Sequence, residues 1–170
     1  MEAKNENLTE SFSKAYDDFS DAIFRYCHYK TSNRELALDL TADTFTKTWE
    51  YIADGKKIDN LRALLYRVAN NLIIDYHRKK KESSLDSLTE QGFDISTENT
   101  KEKYEDNFDN KKAMEAIQEL DENYRDIIIM RYVDDLSIKE IAKILNEKEN
   151  NISVKIHRAL DKLKKILGEE

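Results

Sequence analysis

No proline interrupts this chain of 170 residues, and only three glycines occur in it. Tight turns favour those two residues, so the composition argues against a β-rich fold that reverses direction often. What remains is a fold of helices with few sharp joints. The apolar spacing agrees. Phe12, Ala15, Tyr16, Phe19, Ile23 and Tyr26 recur at three and four residues, the period of one helical face. A second pattern follows Ser32 or Asn33, either of which suits an N-cap. It carries Ala37, Leu38, Phe45, Trp49 and Ile52 and stops at Asp54 and Gly55. A third has Leu61, Leu64, Leu65, Val68, Ala69, Leu72 and Ile73, then runs out into HRKKK at 77–81.

Four shorter patterns follow further on. Ala113, Ile117 and Leu120 mark the first. Tyr124, Ile127, Ile128 and Arg131 mark the next, with Asp121 as the expected cap. The third starts at Ser137, and Glu140 three residues on completes a capping box. Its inner face is Ile141, Ala142 and Leu145. The last has Ile152, Ile156, Ala159, Leu160 and Leu163 on one stripe.

Between the two sets lies SSLDSLTEQGFDISTENTKEKYEDNFDN. It is poor in apolar residues, and eight carboxylates from Asp86 to Asp109 face only Lys101 and Lys103. Self-repelling charge with weak period reads as a flexible linker. The expected fold class is therefore all-α: two small helical domains joined by an acidic linker. The expected boundaries are a disordered N-terminus at 1–8, a first domain at 9–84, a linker at 85–110 and a second domain at 111–170.

Charged residues make up 37% of the chain and apolar ones 39%, so each core is modest. The formal net charge is −7, which argues against indiscriminate phosphate binding unless the charge is segregated. Here it is, with a basic run at 77–81 and an acidic stretch after it. Cys27, the lone cysteine, cannot form an internal disulfide, which fits a reducing compartment. No apolar run approaches the roughly 20 residues of a membrane span. The polar start MEAKNENLTESF has no signal-peptide core, so the expected location is the cytoplasm. Cys27 and His28 point about 100° apart on a helix and have no companion ligands, so no metal is expected. No nucleophile–base arrangement and no phosphate-binding glycine loop is recognisable. The chain is expected to be no enzyme, with no cofactor and no small-molecule substrate.

The stretch LSIKEIAKILNEKENNISVKIHRALDKL pairs two amphipathic helices across a short polar joint, which suits a helix-turn-helix. The second helix of that motif presents its N-terminal residues to base edges. With Ile152, Ile156, Ala159 and Leu163 inward, the outward face holds Asn150, Val154, His157 and Asp161, flanked by Ser153 and Arg158. Lys155, Arg158 and Lys162 are placed to reach phosphates, which position without specifying. A helical hairpin with a solvated charged face is the plain alternative. In DNLRALLYRVANNLIIDYHRKKK, residues Arg62, Arg67, Asn70, Asn71, His77 and Arg78 surround an apolar stripe, with Tyr66 and Tyr76 interleaved. That mixture suits a surface tracking single-stranded DNA. A solvated helix end, with cations complementing the macrodipole, suits it equally.

Two motifs in order carry a resemblance. ALDLTADTFTKTWEYI followed by NLRALLYRVANNLIIDYHRKKK resembles region 2 of bacterial sigma-70 factors, especially the extracytoplasmic-function subfamily. AIQELDENYRDIIIMRYVDDLSIKEIAKILNEKENNISVKIHRALDKLKKIL resembles their region 4. The resemblance implies an alternative sigma factor that binds core RNA polymerase through its β and β′ subunits. It implies promoter-specific initiation by recognition of −35 and −10 elements, with help in melting. Asp39, Leu40, Asp43 and Phe45 match the positions that dock on the β′ clamp helices. For −10 contact it implies Lys56, Lys57, Arg62, Arg67, Asn71, Arg78, Lys79 and Lys80, with Asn71 nearest a flipped base. For −35 contact it implies Ser153, Val154, Lys155, His157 and Arg158. It also implies promoter DNA and an anti-sigma factor as partners. The chain departs from the pattern at Ala42, at Gly55, at Asp121, and at Glu147 and Lys148 in the joint. Two other readings stay open: a sigma-like regulator that does not melt promoters, and a helical interaction module with no nucleic-acid role.

Overall fold

The computed structural model describes residues 2–86 and 108–168. The linker reading at 85–110 falls mainly outside them. Among the described residues there are seven α-helices and no strand, and the chain divides into two compact units.

The first unit holds α1 (Glu2–Thr31), α2 (Arg34–Ala53) and α3 (Leu61–Asp86). Helix α1 runs from Glu2, within the segment expected at 1–8. The helix end is sharp. The Ser32 amide donates to the His28 carbonyl at 2.8 Å with Ser32 at a left-handed φ of 51°. Asn33 then caps α2, its Oδ1 accepting from the Leu36 amide at 2.9 Å. A two-residue turn makes α1 and α2 an antiparallel hairpin. Asp54 and Gly55 end α2 as expected, with Gly55 in the left-handed region at φ 75°. Asn60, a cap the pattern does not reveal, accepts from the Ala63 amide at 2.9 Å and opens α3.

The face α2 buries is rotated from the one its apolar spacing suggests: Ala37 and Phe45 lie inside as expected, but Leu38 does not. Ala37, Leu40, Thr41, Thr44, Phe45 and Thr48 are buried, while Leu38 is 51% exposed. The threonines tolerate burial because each hydroxyl donates to the carbonyl four residues back. The distances are 2.6 Å from Thr41 to Ala37, 2.6 Å from Thr44 to Leu40 and 2.7 Å from Thr48 to Thr44. A satisfied hydroxyl removes most of the penalty of burying it. The aromatic Phe12, Tyr16, Phe45 and Trp49 pack between α1 and α2, with ring centroids 4.7–6.1 Å apart. On α3, Leu65, Ala69 and Ile73 are buried as the stripe requires, and so are Tyr66 and Asn70. Those two were expected on the basic surface. Tyr66 instead lies edge-on to Tyr26 at 5.3 Å, and the Tyr26 hydroxyl donates to Asn70 Oδ1 at 3.1 Å. The Asn70 oxygen and the Tyr66 ring thus serve the core.

The second unit holds α4 (Phe108–Gln118), α5 (Glu122–Ile128), α6 (Ile138–Leu145) and α7 (Glu149–Leu167). It starts a few residues before the expected 111. A wider π turn, Ile129–Val133, continues α5. Ile127, Ile128, Ile129 and Met130 are all buried. Four consecutive residues sweep some 300° of a helix, so this segment is enclosed on all sides. Two arginines tie the connections. Arg125 donates to the Gln118 and Leu120 carbonyls at 2.8 and 2.9 Å, closing the end of α4. Arg131 donates to the Leu136 carbonyl at 3.0 Å, bracing the approach to α6.

Candidate nucleic-acid and polymerase interface

Helix α6 starts with a complete capping box. The Ser137 hydroxyl accepts from the Glu140 amide at 3.2 Å, and the Glu140 carboxylate accepts from the Ser137 amide at 2.8 Å. Satisfying amides at both ends of the first turn fixes where an eight-residue helix begins. Asn146 ends it in the left-handed conformation, φ 54° and ψ 44°, which asparagine accommodates better than most residues. Three residues, Asn146, Glu147 and Lys148, then separate α6 from α7. Lys148 occupies the N-cap with no side-chain cap bond. Asn150 and Asn151 lie inside the first turn of α7.

The buried stripe of α7 is Ile152, Ile156 and Ala159, as the spacing requires. It holds α7 against α6 and α5 and turns the other face outward. Ser153, Val154, His157 and Arg158 are exposed there. The Ser153 hydroxyl donates to the Glu149 carbonyl at 3.1 Å, so it has an acceptor lone pair to offer. Val154, 49% exposed, is a free methyl surface between polar neighbours. His157 Nε2 lies 3.7 Å from Asp161 Oδ2. Lys155 is half-buried and its ammonium is 2.6 Å from the Glu147 carboxylate. Asp121, expected to cap α5, makes no cap bond. Its carboxylate instead receives the Lys162 ammonium at 2.6 Å, with that ammonium 5.0 Å over the Tyr124 ring. The hydrogen bond to Asp121 raises the Lys162 pKa, keeping the group charged.

The first unit offers a second charged surface along α3. At 100° per residue, Arg67, Asn71, Ile74 and Arg78 fall within roughly 60° of one another, and all are exposed. Arg62 lies on the opposite side of the helix and is half-buried, so it does not join them. Lys79 and Lys80 are exposed beyond. Arg78 is held 3.2 Å from Asp75. In the loop before α3, Lys56 lies 3.3 Å from Asp54 and 4.7 Å from the Tyr51 ring, and Lys57 is exposed.

On α2 the four residues expected at a polymerase interface separate into two groups. Asp39 and Asp43 are exposed and four residues apart on one face. Leu40 and Phe45 are 6% and 4% exposed and face the core. Their burial follows from the threonine-lined inner face described above. Leu38, which the pattern placed inside, is the apolar residue that α2 presents. Cys27 is fully buried, and burial pushes its thiol up to about 11, opposed in part by a hydrogen bond with Thr41. Among the described residues no group of three His, Cys, Asp or Glu side chains is arranged to hold a metal. No helix among them is long and apolar enough to cross a membrane.

Two helical units, the second pairing α6 and α7 across a three-residue joint as a helix-turn-helix does, define the class of fold. Comparison with known proteins makes it specific. Sigma-70 region 2 matches residues 15–83, and Sigma-70, region 4 matches residues 111–163. The chain belongs to the sigma-70 family, among its extracytoplasmic-function sigma factors. It is 29% identical over 167 residues to the ECF RNA polymerase sigma factor SigW of Bacillus subtilis, covering 93% of this chain and 89% of SigW. It is 25% identical to the ECF RNA polymerase sigma factor BldN of Streptomyces coelicolor, covering 95% of this chain but 62% of BldN. Its fold is similar to that of the sigma factor RpoE solved with the anti-sigma factor NepR from Bartonella quintana. The TM-score is 0.71 and the identity 22%, over 94% of this chain and 98% of that one. A second solved likeness is CnrH in complex with the cytosolic domain of CnrY, with TM-score 0.65, identity 19%, and 94% and 89% covered.

Proposed function

We propose that this protein is an alternative sigma factor: it binds core RNA polymerase, recognises −35 and −10 elements, and aids promoter opening. The observation that carries the reading is the pairing of region 2 and region 4, in order, on two separate helical units. In this reading α7 enters the major groove at the −35 element. Val154 packs on a thymine methyl, and His157 and Arg158 hydrogen-bond base edges. The α3 face of Arg67, Asn71 and Arg78 takes the −10 strand. Lys56, Lys57, Lys79 and Lys80 contribute charge around it, and Arg62 contributes less because it faces away. Extruding a base from the stack costs a few kcal/mol, and Asn71 beside exposed Ile74 gives that base an amide and an apolar surface. The α2 face of Leu38, Asp39 and Asp43 docks on polymerase, with Leu40 and Phe45 supporting it from beneath.

The net charge fits this division of labour. A chain at −7 binds DNA poorly alone, and the holoenzyme supplies the rest of the affinity. Catalysis belongs to the polymerase, and the site of action is the cytoplasm. The sigma factor RpoE solved with the anti-sigma factor NepR supports a protein partner that covers these faces until a signal arrives. The test is a permanganate footprint of holoenzyme on a promoter recovered by transcription. Reactive thymines near −10 that disappear with Asn71→Ala are expected. Core binding without any unpaired thymine would favour a regulator that does not melt DNA.

A further inference from the structure

On α7, Lys155, Arg158 and Lys162 stand at i, i+3 and i+7, a stripe along one flank of the exposed face. Such a stripe is placed to follow a phosphate backbone. Yet its two outer members are already held. Glu147, in the joint before α7, takes the Lys155 ammonium at 2.6 Å in a half-buried pair. Asp121, at the start of α5, takes Lys162 at 2.6 Å, and the Tyr124 ring backs the same ammonium at 5.0 Å. Neither carboxylate belongs to α7; each is brought to it by another element. Arg158 stands exposed between the two pairs.

A lysine paired this way presents a near-neutral group to an approaching phosphate, and its carboxylate repels that phosphate. Phosphate contacts raise affinity for every sequence, whereas base contacts discriminate. We infer that Glu147 and Asp121 set specificity by withholding Lys155 and Lys162 from the DNA backbone, so that Val154, His157 and Arg158 govern what α7 binds. This rests on the sigma-factor reading of α7. It deepens that reading by giving two acidic residues, neither on the reading helix, a role in promoter discrimination. Lys155 then ceases to be a phosphate contact in the intact chain and becomes one only when its carboxylate is removed.

The test compares the full chain with Glu147→Gln, Asp121→Asn and the double variant. Binding to a short duplex of mixed sequence is followed by fluorescence anisotropy across a salt titration, with melting curves taken alongside. Each freed lysine is expected to steepen the log K against log salt slope by about 0.9, about eightfold in affinity per decade of salt. The double variant gains both increments and loses discrimination between promoter and mixed-sequence duplexes. A pair that merely staples the fold would lower the melting temperature and leave the slope alone, which overturns the inference. Asp121→Asn breaks the more exposed pair and keeps the test decisive if Glu147→Gln disturbs the joint. Arg158→Ala in each background separates the two levels. No gain, with Arg158→Ala still weakening binding, refutes the shielding alone. No gain and no dependence on Arg158 refutes it together with the promoter reading of α7.

Discussion

Ile152 and Val154 sit two residues apart on the same turn of α7 and should respond to truncation in opposite ways. Ile152 is fully buried and is among the residues that fasten α7 to α6 and α5. Ile→Ala in a packed core removes about 2–5 kcal/mol, part lost transfer energy and part the cavity left behind. The second unit is small, and a domain of that size has a total stability of roughly 3–9 kcal/mol. One substitution therefore removes a large share of it. Taking about 3 kcal/mol, and about 4–8 °C per kcal/mol for a domain this small, the expected fall is roughly 12–24 °C. Val154→Ala, at a side chain 49% exposed, should stay within about 0.5 kcal/mol of the parent. Its effect should appear in binding instead, as weakened recognition of the −35 element where a thymine methyl is read. Circular dichroism melts and anisotropy titrations on both variants give the comparison. Hydrogen exchange then places the loss, which should fall in α5–α7 and leave α1–α3 protected. The reasoning is refuted if Val154→Ala lowers the melting temperature as far as Ile152→Ala. It is equally refuted if Ile152→Ala destabilises α1–α3 to the same extent as its own unit.

Other outcomes follow from the same structure. Ser137→Ala removes the hydroxyl half of the capping box and should lower the stability of the second unit by about 1 kcal/mol, read by urea denaturation. Asp39→Lys with Asp43→Lys changes two exposed side chains, so melting should barely move while affinity for core polymerase falls, measured by competition with a fluorescent sigma factor. Cys27 makes the first unit sensitive to alkali. Its thiol ionises at about 9.0 when unfolded and about 11 when folded. The folded state therefore keeps a proton that the unfolded state releases, and stability is full below pH 9 and declines as pH rises toward 11. Two pH units correspond to about 3 kcal/mol. The decline should shrink in Cys27→Ala, and an equal alkaline slope in that variant would contradict the assignment. The same thiol should resist alkylation until the unit unfolds.

How much of this was legible beforehand differs from helix to helix. Helix α7 could be read directly, because isoleucine and alanine at the proper spacing leave no doubt about its inner face. Helix α2 could not. Half of its buried set is threonine, which looks polar in a sequence and becomes core only when the hydroxyl bonds back four residues. That hides the true inner face, and Leu38 lies roughly a quarter turn from its centre. The same cause explains Asn70, whose side-chain oxygen finds the Tyr26 hydroxyl inside the first unit, while Tyr66 is buried through its ring against Tyr26. The capping box at Ser137 and Glu140 was visible because both members are local in sequence. The Lys162–Asp121 pair was not, since it joins residues 41 apart. Asp121 reads locally as a cap, and the long-range partner wins because an ammonium is a stronger donor than a backbone amide. The π turn at 129–133 leaves no mark in the sequence, because it begins inside the run Ile127–Met130, which is buried throughout and so shows no period.

Run-off transcription with purified core polymerase on a library of genomic fragments tests the central claim most directly. The wild-type chain is run beside His157→Ala/Arg158→Ala, two changes at exposed positions of α7. Discrete transcripts that share paired upstream elements, and that vanish in the double variant while it still binds core, are the result expected of a sigma factor. A chain that binds core but yields no specific transcript, or transcripts indifferent to both residues, would contradict it.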